Sequence, residues 1–365
     1  MIRFPGKLAL QQRVLPAYRV PFFDLLASAC DGGMSLFTGL PRANEGITVA
    51  NELRVAGYTP GRNIHLFGGS FYLCHQKGLL DWLEDWNPDA LIVEANARYL
   101  STPAAVRWMR ERDRPVIGWG LGFPPLSGPL AGFRARRRIS FLSQFDALIA
   151  YSQRGADEYA REGFPVDYLF VAHNSVSPSP TWELPKRPES FREQPCVLFV
   201  GRLQARKNVD MLLGACAEIQ NVRLVIVGDG PERESLERLA EEIYPSAEFA
   251  GARHGAELKA YFEEADLFVL PGTGGLAVQQ AMSYGLPVIV AQGDGTQDDL
   301  VREGNGWQVP PDDFDALVST MKDALSDAAR LRRMGKESYR IVKEEINIER
   351  MVETFVTALN ASSGK

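Results

Sequence analysis

The sequence predicts an α/β protein made of two Rossmann-like parallel-sheet domains. Three observations carry that expectation. Short apolar runs alternate with amphipathic helical patterns along the chain, as βα units feeding a parallel sheet require. One proline-dense segment, Ser177 to Pro195, interrupts the alternation. Directly after it, the apolar run Cys196–Val200 closes on Gly201 and Arg202 and a helical pattern follows. Charged residues therefore stand at the carboxyl end of a strand, the edge where open α/β sheets bind ligands.

In order along the chain, strands are expected near 7–11, 34–38, 63–67, 89–93, 115–119, 146–150 and 168–171 in the first half. In the second half they are expected near 196–200, 222–227, 247–250, 266–270, 287–291 and 306–309. Pro178, Pro180, Pro185, Pro188 and Pro195 forbid regular helix or central strand and suit a semi-rigid linker. The domain reading is 1–177, a linker over 178–195, 196–346, and a last helix within 347–365 that returns to the first domain. A chain of 365 residues is long enough for two separate cores.

A formal net charge of −6 argues against a general nucleic-acid binder, which needs a broad basic surface. Cys30, Cys74, Cys196 and Cys216 lack paired metal-ligand spacing and read as buried free thiols in a reducing compartment. Arg3, Pro5, Gly6 and Lys7 break up the apolar core that a signal peptide would need. No apolar run reaches bilayer-spanning length. The expected location is the cytoplasm.

Arg202 and Lys207 lie on the loop between the Cys196–Val200 strand and a helix whose Val209, Leu212, Leu213 and Cys216 share a face. A forked donor and a point charge together suit a diphosphate. Pro271-Gly272-Thr273-Gly274-Gly275-Leu276 forms a second anion-binding pattern. Its glycines admit close backbone approach, and a helix starting at Leu276 would aim free N–H groups at a phosphate. Asp229 or Gly230 is expected to cap the helix that follows Pro231. Asp298-Asp299 and Asp312-Asp313 fall in loops or helix starts and make a poor metal site, so no metal is assigned.

Gly201-Arg202-Leu203, three further residues and Lys207 resemble the phosphate-binding loop of the retaining glycosyltransferases of family four. Val225–Pro231, Phe249–Gly251, Ala265–Pro271 and Ala281–Ile289 resemble that family's later segments, in its order and near its spacing, over roughly residues 195 to 310. The resemblance implies the GT-B fold, two Rossmann-like domains facing across a cleft. It implies a UDP- or GDP-sugar as co-substrate, no further cofactor, and a glycan, lipid-linked or small-molecule acceptor. Arg202 and Lys207 would then be catalytic through the leaving diphosphate. Gly201, Gly274, Gly275 and Leu276 would hold the donor, with the backbone near Arg253 holding the base. The family's two glutamates, seven residues apart, are here Gly272 and Gln280. Gln280 keeps hydrogen bonds for a ribose, whereas Gly272 offers no side chain.

The first half resembles the family less and is expected to take the acceptor. Arg13, Tyr18 and Arg19 follow the first strand where relatives carry a glycine-rich loop; they are acceptor-side candidates or surface loop residues. Glu94 and Asn96 lie beyond the strand at 89–93 and would project to one side. Glu94 is the candidate for binding or deprotonating an acceptor hydroxyl, against a helix-capping role. Leu121 stands where some relatives carry histidine. Asn174 matches a residue that closes the family's first domain and reads as structural. The basic amphipathic run at 133–142 is either a peripheral contact with anionic lipid head groups or a solvated helix face. Two rival functions stay open: a non-catalytic sugar-nucleotide-binding protein, and a sugar-nucleotide epimerase of the same fold.

Overall fold

The computed structural model describes residues 2–43, 45–126, 128, 130–274, 276–293 and 295–363. The chain divides into two units, Met1–Val176 with Ile348–Lys365, and Ser177–Asn347. In the first unit the strands are β1 (Leu8–Val14), β2 (Met34–Gly39), β3 (Gly57–Pro60), β4 (Arg62–Leu66) and β5 (Leu73–Lys77). They continue with β6 (Ala90–Glu94), β7 (Val116–Gly120), β8 (Ala147–Ala150) and β9 (Leu169–Val171). Seven of them form one sheet, ordered β3-β2-β1-β6-β7-β8-β9, and every neighbouring pair is parallel. Leu8, Leu10, Leu36, Ile92 and Ile117 are fully buried, as strands covered by helices on both faces must be.

One strand differs from the sequence reading. The segment near 63–67 does not join the parallel sheet; β4 pairs antiparallel with β5 as a separate ribbon. Arg62, Ile64 and Leu66 are exposed, alternating with Asn63 and His65. That alternation suits a ribbon with one wet face, whereas buried parallel strands run continuously apolar. The sheet edge is taken instead by β3, a short strand ending in Pro60, a residue that an edge tolerates.

The second unit holds β10 (Cys196–Val200), β11 (Arg223–Val227), β12 (Glu248–Gly251), β13 (Leu267–Leu270), β14 (Val288–Ala291) and β15 (Gly306–Val309). They form a second parallel sheet ordered β12-β11-β10-β13-β14-β15. The proline-dense segment is not a free linker. Trp182 stacks on Tyr284 with ring centroids 5.0 Å apart. The Arg187 guanidinium donates to the carbonyls of Phe262 (2.6 Å), Ala265 (2.8 Å) and Tyr284 (2.9 Å). Prolines suppress backbone hydrogen bonding within the segment, so side chains attach it to the unit's surface.

The helix Ile348–Ser363 packs in the first unit, where Phe355 meets Phe22 and Trp119 at ring-centroid distances of 5.0 Å. Arg19, expected from sequence to be an acceptor-side candidate or a surface loop residue, is neither exposed nor open to a ligand. It is 7% exposed, donates to the Ser175 carbonyl (3.1 Å) and to the Asn174 side chain, and lies over the Trp119 ring. Its donors serve the protein's own backbone, because a buried guanidinium must be hydrogen-bonded to be tolerated. Arg19→Ala is expected to destabilise the protein by roughly 2–4 kcal/mol, as loss of charge-assisted hydrogen bonds with their acceptors left buried does. Urea unfolding with an unchanged midpoint would remove this role.

Candidate functional site

Each sheet has one place where its strand order reverses, between β1 and β6 in the first and between β10 and β13 in the second. Loops leaving those strands diverge in opposite directions and open a crevice. Candidate residues from both halves of the sequence fall at these two positions.

In the first unit, the ends of β1 and β6 meet. The Arg13 N–H donates to Glu94 Oε1 (3.1 Å), and the Arg13 guanidinium forms an ion pair with Glu45 (2.8 Å). The Glu94 N–H donates to Gln11 Oε1 (3.2 Å). Gln11 donates to Gln76, whose amide reaches the Gln12 carbonyl and Asn63 Oδ1, each at 3.0 Å. The Asn63 amide in turn donates to the Arg13 carbonyl (2.7 Å). A closed polar network thus fixes the backbone on either side of Glu94. Burial pushes the Glu94 carboxyl up, opposed by the Tyr99 hydroxyl and by Arg13. A carboxylate held in this way is a stronger base than one in water.

Glu94 and Asn96 line a cavity of about 940 Å³ whose wall also includes Trp119, Leu121 and Tyr151. Asn96 Oδ1 accepts the Arg98 N–H (3.1 Å), so part of its polar capacity closes the local turn. Tyr18 is exposed and stands against the Arg19 guanidinium, 5.6 Å from ring to charge; it does not line the cavity. Arg13 is engaged by Glu45 rather than standing as an open loop cation. Sequence reasoning missed Gln11, Gln76, Tyr99 and Glu45. Gln11, a glutamine inside an otherwise apolar strand, was the available signal, because a buried amide needs partners; its neighbour Gln12 keeps a buried Nε2 with none.

In the second unit, the loop after β10 is held by Gly201 N–H to the Val227 carbonyl (3.0 Å) and Leu203 N–H to the Asp229 carbonyl (2.9 Å). A Cβ on Gly228 or Gly230 would run into the Gly201 or Leu203 carbonyl, so those glycines permit the two loops to lie back to back. Asp229 is not a helix cap. The helix starts at Arg233, while Asp229 accepts the Gly230 N–H (2.7 Å) and pairs with Arg233 (3.2 Å). Arg202 is exposed on this loop. Arg253 follows β12, two strands away, where it is exposed and faces Glu257 at 3.9 Å. Two strand spacings put it about 10 Å from the β10 loop.

The turn after β13 closes on the β10 loop. The Thr273 N–H donates to the Arg206 carbonyl (2.9 Å), and Lys207 Nζ donates to the Thr273 carbonyl (2.5 Å). A Cβ on Gly272 would lie within 2.5 Å of Lys207 Cα, and one on Gly274 would meet Lys207 Nζ. Gly274 also takes φ +125°, which L-residues avoid. The missing side chain at 272 is therefore a packing requirement of this turn. Burial, with the neighbouring Arg206, pushes the Lys207 ammonium down to about 8. The helix Leu276–Ser283 begins where expected, and Gln280 on it is partly buried. Gly275 lies outside the described residues. Sequence reasoning passed over Gln279, which accepts the Ser177 N–H (3.3 Å) and donates to the Ile346 carbonyl (2.7 Å). Two of the carboxylates set aside as metal ligands have structural work: Asp312 accepts from Asn208 (2.7 Å) and Asp313 caps the helix Phe314–Ala324.

Two parallel-sheet Rossmann-like units, with a cationic loop and a glycine turn at the second switch point, define a GT-B fold. A model of the glycosyl transferases group 1 family matches residues 180–341, and the chain belongs to that family. It is 33% identical over 264 residues to a GDP-mannose-dependent alpha-mannosyltransferase of Mycobacterium tuberculosis, covering 68% of this chain and 66% of the relative. The chain spans 66% of that relative's length, and 29% and 35% of the length of two further curated relatives. The lipopolysaccharide outer core galactosyltransferase WaaB shares the fold, with a TM-score of 0.70 at 17% identity over 97% of this chain and 99% of that one. Anabaena Alr3699/HepE, solved with UDP and glucose, gives 0.67 at 16% identity over 97% and 99% of the two chains.

Gly272→Ala should push the turn off the Arg206–Lys207 backbone and cost about 1–3 kcal/mol, the usual range for overpacking. Thermal unfolding that matches the unsubstituted protein would show that the turn has room to spare.

Proposed function

We propose that this chain is a retaining glycosyltransferase that moves a sugar from a UDP- or GDP-sugar to a hydroxyl of a glycan, lipid-linked or small-molecule acceptor. The observation that carries the reading is the closure of the 272–274 turn on Lys207 at the second sheet's switch point, on the loop that also carries Arg202. As the bond from the anomeric carbon to the diphosphate breaks, its electrons go to a phosphate oxygen. Arg202, Lys207 and the N–H groups at the start of the Leu276 helix stabilise that charge, an effect worth most where the donors are already in place. Gly201 and Gly274 let the backbone approach, Gln280 holds the ribose, and the backbone near Arg253 holds the base. These cations and the helix terminus supply the charge compensation, so the transfer needs no metal or cofactor.

On the acceptor side, Glu94 takes a hydrogen bond from the attacking hydroxyl and draws its proton, with Asn96 beside it in the cavity. The GDP-mannose dependence named for the mycobacterial relative and the UDP bound in the Anabaena structure support a nucleoside-diphosphate donor. The enzyme works in the cytoplasm, with peripheral membrane contact through 133–142. Among the described residues no helix is long and apolar enough to cross a membrane. Gly272 favours one second reading, a sugar-nucleotide-binding protein without turnover, because no carboxylate faces the sugar from that position.

Lys207→Ala or Arg202→Ala should raise the barrier to transfer by roughly 2–4 kcal/mol, as loss of a charge-stabilising donor does. Nucleotide affinity should also follow pH. The free Lys207 ammonium titrates near 8, and a bound diphosphate favours its protonated form. Affinity is then fully developed below about pH 8 and declines above it, by up to about tenfold per pH unit, with proton uptake on binding. Calorimetry at about pH 7 and pH 9 in buffers of different ionisation enthalpy reads this directly; equal affinities would exclude Lys207 as a diphosphate ligand.

The product should keep the donor's anomeric configuration, and transfer should continue in a chelator. Proton NMR of the anomeric signal decides the first point. An inverted product would refute the retaining mechanism, and activity lost to chelation and restored by a divalent ion would refute metal independence. Donor binding with neither transfer nor hydrolysis across an acceptor panel would establish the sensor instead.

A further inference from the structure

A second cavity lies in the first unit, at the edge of its sheet. It measures about 560 Å³ and shares no residue with the one that Glu94 lines. Thr59 on the edge strand β3 pairs in register with Phe37, and its small side chain leaves space that the helix Leu79–Trp86 does not fill. Gly61 carries the chain from sheet to ribbon directly over Phe37, where a Cβ would run into the ring. Phe37 and Trp82 form the floor, their ring centroids 5.2 Å apart, and half-buried Trp86 stands beside them. Both indoles are fixed: Trp82 donates to Ser35 Oγ (2.9 Å) and Trp86 to the Leu8 carbonyl (3.0 Å).

Charges of both signs surround this floor. Asp81 and Asp85 come from the helix, one turn apart, and Arg62 and Lys77 from facing positions at one end of the β4–β5 ribbon. All four are exposed, and among the described residues none of their side chains has a hydrogen-bond or ion-pair partner. Two carboxylates oppose an anion here, and two cations oppose a cation. A neutral ligand with several hydroxyls satisfies both sets, because the carboxylates accept its O–H groups and the cations donate to its oxygens. The aromatic floor favours a ligand that also has an apolar face. A pyranose ring has both features.

The ribbon joins the two cavities. In its register Arg62 faces Lys77, Ile64 faces His75 and Leu66 faces Leu73. Side chains alternate along a strand, so these six share one face. Arg62 and Lys77 line the edge cavity, and Leu73 lines the Glu94 cavity at the other end. Four residue steps put the two ends about 13 Å apart.

We propose that the edge cavity binds a neutral pyranose unit of a glycan, with the rest of the glycan lying along this face of the ribbon toward Glu94. A second point of attachment raises the effective concentration of the glycan's reacting end without taking part in transfer. The holding role rests on the glycan-acceptor reading of the Glu94 cavity; the sugar site itself does not.

The test is saturation-transfer NMR of the full chain with neutral tetrasaccharides of α-linked mannose, α-linked glucose and β-linked glucose. Tetragalacturonate serves as the anionic control. At least one neutral tetrasaccharide should bind, and the anionic one should bind about tenfold less. Asp81→Ala with Asp85→Ala should lower affinity for that neutral sugar about tenfold, and Arg62→Ala with Lys77→Ala likewise, as loss of charge-assisted hydrogen bonds does. All four positions are exposed, so both variants should keep the thermal unfolding midpoint. Affinity unchanged in either variant would place the sugar elsewhere and overturn the inference. Binding of none of the three neutral sugars, or a preference for tetragalacturonate, would overturn it too. UDP and GDP binding is measured alongside by calorimetry. A chain that binds the tetrasaccharide and neither nucleotide keeps the sugar site and loses the donor reading.

Discussion

A parallel sheet sends the carboxyl ends of all its strands to one edge, and most of what this protein can do depends on that constraint. The strand order in each unit reverses once, so the loops after β1 and β6, and after β10 and β13, are brought together from distant parts of the sequence. Arg13 reaches Glu94 across 81 positions, and Lys207 reaches Thr273 across 66. Neither pairing needs a special fold element. Each follows from hydrogen-bonded strands placing their ends side by side.

The second switch point shows how a lost functional group can be a gain in packing. Position 272 has no side chain, and the backbone of Arg206 and Lys207 occupies the space that a Cβ would need. The turn therefore closes directly on the cationic loop, and Lys207 is desolvated enough for its ammonium to be pushed down to about 8. A partly desolvated cation interacts more strongly with a phosphate than one in water does. In the proposed transfer, leaving-group stabilisation rests with Lys207 and its loop, since position 272 offers no side chain.

The first unit solves a different problem. A carboxylate at a strand end must be held still while remaining partly desolvated. Gln11, Gln76 and Asn63 do this by satisfying one another and the backbone around Arg13 and Glu94. Arg19 performs a related task beneath Trp119, tying the segment at Asn174 and Ser175 to the first unit's interior. Buried polar networks of this sort cost much when half satisfied and little when complete; beside this one, Gln12 keeps a buried amide nitrogen without a partner.

The sequence by itself determined the two-sheet α/β fold, nearly all strand positions, the cationic loop at Arg202–Lys207 and the helix start at Leu276. These depend on local pattern: apolar runs of strand length, glycines at turns, and helical periodicity within a dozen residues. Tertiary structure alone decided that β4 joins a ribbon and β3 the sheet, because pairing partners are not encoded within a strand. It also decided that Arg19 is internal, that Arg13 pairs with Glu45, and that Asp229 serves Arg233 and not a helix cap. It set Phe67 and Phe71 on the wall of the cavity that Leu130 and Phe133 also line. Apart from the Asp229–Arg233 pair, four residues apart, each of these joins residues distant in the chain. The physical reason is the same throughout: burial and charge pairing depend on which surfaces meet, and that is settled only when the sheets assemble.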